Sequence, residues 1–109
     1  MAAIPQLDPA SARALLERQG ASGVLLDVRE PWEYAEAHVE GSLHIPMGQI
    51  PDRIGELNST LAYVVMCHHG SRSQQVAAYL DSHGFRQVSN LAGGIDAWAA
   101  TLDPRLPRY

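Results

Sequence analysis

The sequence predicts a single α/β domain built on a mainly parallel sheet, and three observations carry that expectation. Short apolar runs alternate with helical patterns along the whole chain. The runs Gly23–Val28 and Ala62–Cys67 are continuous enough in apolar character to be buried strands, and Gln87–Leu91 (QVSNL) reads as another strand. No repeat, low-complexity tract or long linker divides the 109 residues, so residues 1–109 read as one domain with 101–109 as a surface tail. At this size area scaling buries roughly two-thirds of the unfolded chain's surface, enough for one core without disulfide or metal staples.

Each element has a local reason. Asp8-Pro9 places an N-cap before a proline at the first helical position, Ala12, Leu15, Leu16 and Gln19 share one helical face, and Gly20 ends the run. Gly23–Val28 (GVLLDV) follows as a strand. Glu30–Ala37 opens on a proline-marked turn and reads as a short helix of mixed polarity. Ser42–Pro46 is a short strand stopped by its proline. Ile50, Ile54 and Leu57 recur at helical spacing, with Pro51 in the first turn. Ala62–Cys67 (AYVVMC) is the clearest strand, β-branched in its middle. A helix carrying Val76, Ala77 and Leu80 on one face begins near Ser73, and Gly84 caps it. Gln87–Leu91 is the next strand, and Gly93-Gly94 opens a last short helix over 95–100. The tail from Thr101 to Tyr109 holds two prolines and is expected to drape over the surface or fray.

Composition excludes several functions. All eight basic residues are arginine against twelve acidic ones, for a formal charge of −4, the reverse of a nucleic-acid binder's balance. Cys67 is the only cysteine, which excludes an internal disulfide and a Cys-x-x-Cys redox pair. The start Met1-Ala2-Ala3-Ile4-Pro5 lacks the basic and apolar regions of a secretory leader. The longest apolar run, Leu61 to Cys67, is too short to span a bilayer. The expectation is a soluble cytoplasmic protein with no nucleic-acid or membrane partner.

Cys67 ends a central strand just before a helix, where sites gather in open parallel sheets. The helix directs its free N–H groups and positive dipole end at that turn. Gly70 lets successive N–H groups face inward as an anion nest. A thiol in such a field favours its thiolate. Arg72 adds a fixed cation to the cradle or braces it from below. The plain alternative, a buried thiol acting as a small hydrophobe, is the less favoured reading beside Gly70, Ser71 and Arg72.

The segment Cys67-His68-His69-Gly70-Ser71-Arg72-Ser73 resembles the active-site loop of rhodanese-type sulfurtransferases, Cys-x-x-Gly-x-Arg-Ser/Thr. Leu26-Asp27-Val28-Arg29 through Tyr34 resembles that family's Asp-Val-Arg motif. His38-Val39-Glu40-Gly41-Ser42-Leu43-His44-Ile45-Pro46 resembles its His-Ile-x-Gly-Ala-x-Asn-Ile-Pro segment, with Ser42 and His44 departing from it. Leu91-Ala92-Gly93-Gly94-Ile95-Asp96-Ala97-Trp98 resembles its closing Gly-Gly-x-x-x-Trp element. The resemblance implies a rhodanese-like fold, a mainly parallel sheet of about five strands with helices on both faces.

It also implies a mechanism. Cys67 takes a sulfane sulfur from a small donor such as thiosulfate or a persulfide, and a thiol or cyanide removes it. The backbone of His68, His69, Gly70, Ser71, Arg72 and Ser73 would hold the intermediate, with no cofactor. The alternative the resemblance allows is a sulfur-relay or interaction module that delivers the sulfur to a partner protein. Four residues separate Cys67 from Arg72. Related cell-cycle phosphatases have five, so the narrower loop favours sulfur over phosphate.

Other residues carry paired readings. His68 and His69 either tune the thiolate and contact a donor or are tolerated loop residues. Consecutive Cys67, His68 and His69 do not suit one tetrahedral ion, so no metal is expected. Asp27 and Arg29 line the pocket or, preferably, form a structural pair. Trp32, Tyr34 and Trp98 are read as packing residues, and His38 and His44 as structural.

Overall fold

The apolar runs become the strands of one sheet in the computed structural model, which describes residues 3–109. Met1 and Ala2, part of the N-terminal stretch read above, lie outside the described residues. In chain order the elements are β1 (Gln6–Leu7), α1 (Pro9–Gln19), β2 (Gly23–Asp27), α2 (Pro31–Glu36), β3 (Leu43–His44), α3 (Ile50–Arg53), β4 (Ala62–Met66), α4 (Ser71–Ser82), β5 (Gln87–Leu91) and α5 (Gly94–Thr101). The five strands lie in the order β1-β5-β4-β2-β3. Every neighbouring pair is parallel.

Strand β4 shows why the sheet is buried on both sides. All five of its residues are buried, which a continuous apolar run requires. The two-residue period sends Tyr63, Val65 and, one step past the strand, Cys67 into one core with Val76, Ala77 and Leu80 of α4. Val64 and Met66 face the other core, with Ala12 of α1 and Ile95 and Trp98 of α5. Cys67 therefore leaves the sheet on the side that α4 covers.

The predicted caps hold. Asp8 accepts a 2.7 Å hydrogen bond from Ser11 N, and Pro9 stands at the first helical position. Gly84, at φ +87°, follows the C-terminus of α4.

Four details differ from expectation. β1 pairs Gln6 and Leu7 with Asn90 and Leu91, a contact too short and too distant in sequence to leave a pattern. β3 shortens to Leu43–His44, since Pro46 follows closely. The run from Ile50 to Leu57 is one α turn flanked by 3-10 turns at Met47–Gln49 and Ile54–Glu56. Gly48 and Gly55, weak helix formers, sit inside those turns. Helix α4 starts at Ser71 rather than near Ser73, because Gly70 at φ +114° turns the chain earlier.

The tail lies against the body rather than fraying. Leu106 and Tyr109 pack on the α1/α5 side of the core, and Arg108 grips Asp96 through two 3.0 Å bonds.

Candidate active site

The loop between β4 and α4 is fixed from behind by α5. Ile95 N donates to the Cys67 carbonyl at 2.9 Å and Asp96 N to the His68 carbonyl at 3.2 Å. These are first-turn N–H groups that a helix cannot satisfy internally. The approach is close enough that a Cβ at Gly94 would lie 2.3 Å from the His68 carbonyl oxygen. The glycine pair thus allows α5 to press its N-terminus onto the backbone of the loop.

Inside the loop, Cys67 is buried at 1% exposure. Its Sγ accepts from Gly70 N at 3.1 Å, and the Ser73 hydroxyl lies 3.3 Å away. That hydroxyl is also shared with Asn90 Oδ1. Asn90 in turn donates its amide to the Gly70 carbonyl at 3.1 Å and to Gln6 Oε1 at 2.8 Å. A buried strand residue therefore sets both the serine that faces the sulfur and the carbonyl of the glycine that donates to it. A sulfur anion here meets donors already in place.

Arg72 points elsewhere. Its Nη1 and Nη2 donate to Glu33 Oε1 and Oε2 at 2.6 and 2.9 Å, a bidentate pair. Glu33 also accepts from Glu30 N at 3.0 Å and from the Tyr109 hydroxyl at 2.8 Å. Four bonds fill the carboxylate. The Arg72 guanidinium, with burial opposing it, lowers the Glu33 carboxyl from an ordinary 4.5 to about 2.

A shift of that size corresponds to about 3 kcal/mol of pH-dependent stability. The unfolded chain protonates this group near 4.5 and the folded one near 2. Stability should therefore be full above pH 4.5 and drain as the pH falls towards 2. Acid unfolding followed by circular dichroism should steepen in that window, and Glu33→Gln should flatten it.

Asp27 and Arg29 form a pair with both side chains at 0% exposure. Arg29 reaches Asp27 through Nε at 2.9 Å and Nη2 at 2.6 Å, the Glu33 and Ala37 carbonyls at 3.1 and 2.7 Å, and the Tyr109 hydroxyl at 2.8 Å. Every donor of the fork is used, so the pair anchors the turn into α2 and does not line an open pocket. Tyr109 joins it to Glu33, making one chain from Asp27 to Arg72.

His68 is half-buried and stacks on both His69 and Tyr109, with ring centroids 3.9 and 4.1 Å away. Burial and then the neighbouring His69 lower its pKa below the usual imidazole value. His69 and Ser71 are exposed. Tyr34 stacks between His38 and His44, Trp98 sits in the core, and Trp32 is 62% exposed with its edge towards Tyr109.

The sequence reading assigned no role to Glu33, Asn90 or Tyr109. Glu33 left one signal, the Glu30-x-x-Glu33 capping pattern with proline at the first helical position. Asn90 is a polar residue inside a buried strand, which is itself a prompt to look for a partner. Tyr109 left none.

The rhodanese-like domain family model matches residues 8–101. The chain is 42% identical over 101 residues to the thiosulfate sulfurtransferase GlpE of Pseudomonas fluorescens, covering 93% of this chain and 90% of that protein. It is 40% identical over 79 residues to a putative sulfur carrier protein, YrkF, of Bacillus subtilis, covering 72% of this chain and 43% of that one. Among solved structures it superposes on a rhodanese-like domain protein of Staphylococcus aureus with a TM-score of 0.80 at 29% identity, over 97% of this chain and 99% of the other. With its cradled cysteine between a parallel strand and a helix N-terminus, the chain belongs to the rhodanese-like domain family and is a sulfurtransferase of that family.

Proposed function

We propose that the chain moves a sulfane sulfur through a persulfide on Cys67, with thiosulfate as a competent donor. The Cys67 thiolate attacks the outer sulfur of thiosulfate, a new S–S bond forms, and the donor's S–S bond breaks with its electron pair leaving on sulfite. An acceptor thiolate or cyanide then attacks the outer sulfur of the persulfide, returning the Cys67 thiolate. The two half-reactions give ping-pong kinetics. The observation that carries this reading is the set of polar groups on Sγ at the entry to α4: Gly70 N donates to it, and the Ser73 hydroxyl, its one proton shared with Asn90 Oδ1, lies 3.3 Å away. They stabilise a sulfur anion without a general base.

Arg72 serves this scheme as a brace. Two of its five N–H donors are held by Glu33, so it fixes the first turn of α4, where Ser73 faces the sulfur. Arg72→Ala should therefore lower kcat several-fold, leave the thiosulfate KM within about twofold, and cost about 2 kcal/mol, since Glu33 loses its partner. A KM increase of more than tenfold at unchanged stability would make Arg72 a donor ligand instead. Steady-state kinetics alongside thermal unfolding separates the two.

A second reading, delivery of the sulfur to a partner protein, is favoured by the similarity to a protein named as a putative sulfur carrier. Turnover on thiosulfate and cyanide discriminates them. An enzyme cycles, whereas a relay loads once and discharges slowly without its partner. A lone cysteine that must stay reduced between cycles fits a reducing, cytoplasmic setting. Among the described residues no helix is long and apolar enough to cross a membrane.

A further inference from the structure

Beside the sulfur cradle, and separate from the groups that touch Sγ, the chain gathers two imidazoles and a carboxylate. One ligand atom each from His68, His69 and Asp96 lie within 4.8 Å of one another. His68 and His69 are consecutive, yet the turn of the loop stacks their rings instead of splaying them. Asp96 comes from the first turn of α5, which the loop backbone holds in place. The trio is therefore assembled by the fold. It differs from the Cys67-His68-His69 run that sequence spacing disfavours.

A second observation points to a ligand. His68 Nε2 is buried without a hydrogen-bond partner, the only such side-chain atom among the described residues. An orphaned buried nitrogen is unfavourable unless something binds there.

We propose that His68, His69 and Asp96 form a binding site for a divalent cation of the zinc class. Two imidazoles and one carboxylate suit such ions, whereas magnesium and calcium prefer all-oxygen shells. Bonds of about 2.0–2.1 Å in a tetrahedral shell put ligand atoms about 3.3 Å apart. His69 Nε2 and Asp96 Oδ2 are 4.0 Å apart and the His69 side chain is 67% exposed, so closing the shell requires its ring to turn out of the stack on His68. Water or a small anion takes the fourth position.

Arg108 is the built-in competitor. Its Nε and Nη2 each donate to one Asp96 oxygen at 3.0 Å. Each oxygen keeps a second lone pair, but the guanidinium charge opposes a cation on the same carboxylate. Removing that charge should tighten the site.

The test is titration of the full-length chain with zinc alone, by calorimetry, on the native protein and on Cys67→Ser. The serine background removes the thiolate, which is itself a strong zinc ligand. One saturable equivalent should persist in Cys67→Ser. Adding His69→Ala or Asp96→Asn should weaken it at least about tenfold, and adding Arg108→Gln should strengthen it several-fold. These side chains are partly exposed, and circular dichroism checks that each variant folds. The proposal is overturned if Cys67→Ser binds no zinc saturably, or if neither His69→Ala nor Asp96→Asn changes the affinity. Cobalt offers an independent readout, since a thiolate charge-transfer band in the native complex would place the ion on Cys67 instead.

Discussion

Replacing Cys67 with serine is expected to reduce sulfur transfer from thiosulfate to cyanide by at least about 10³-fold while leaving stability within about 1 kcal/mol. The asymmetry follows from the site. A serine oxygen occupies nearly the same volume and still accepts from Gly70 N, 3.1 Å from Sγ in the native loop. The loop keeps its anchor, because the Cys67 and His68 carbonyls are held by Ile95 N and Asp96 N. What serine lacks is chemical: a neutral hydroxyl is a poor nucleophile towards sulfur, and no residue here acts as its base. Thiocyanate release and thermal unfolding, measured on one preparation, give both halves. Turnover within tenfold of native would remove Cys67 from the mechanism.

Gly94→Ala should be the most damaging single methyl in the molecule, at about 3 kcal/mol or more of stability. Its Cβ would sit 2.3 Å from the His68 carbonyl oxygen and 2.5 Å from that of Cys67. Both obstacles are backbone, so no side chain can swing aside. Gly94 also has φ +61°, where an L side chain is strained before any contact is counted. Relief requires α5 to move off the loop, taking with it the N–H groups that fix Cys67. The folded fraction should therefore lose sulfur transfer as well. Gly55→Ala is the control, since nothing lies within 4 Å of its Cβ and its φ is ordinary. Denaturant unfolding of the two variants should differ by at least about 3 kcal/mol. Equal stabilities would mean that the contact between α5 and the loop is loose.

The parts legible in the sequence are those written locally. Strand β5 spans Gln87–Leu91, the bounds read from the sequence, and Asp8-Pro9 caps α1. Cys67 stands at the strand-to-helix turn because β4 announces itself by a continuous apolar run and α4 by its helical period. Glycine in the left-handed region moves the start of α4 two residues earlier than the apolar face of that helix suggests.

What remained hidden is non-local. Arg72 was open between anion ligand and brace because its partner, Glu33, lies 39 residues away. Asp27 and Arg29 could be read as a pair, being two residues apart. That Tyr109 completes their network from 80 residues downstream of Arg29 could not. Asn90 follows the same logic: a polar residue in a strand shows a need for partners but not that they are Ser73, Gly70 and Gln6. Residue types and spacing named the nucleophile, whereas tertiary packing decided what holds it still.

The central claim is that sulfur passes through a covalent bond to Cys67. Intact-protein mass spectrometry before and after thiosulfate, with Cys67→Ser alongside, tests it most directly. The account predicts that the native chain alone gains one sulfur atom, localised to the peptide containing Cys67 and removed by cyanide with release of thiocyanate. If the native chain stays unmodified while still producing thiocyanate from thiosulfate, or if Cys67→Ser gains the same mass, the persulfide mechanism is contradicted.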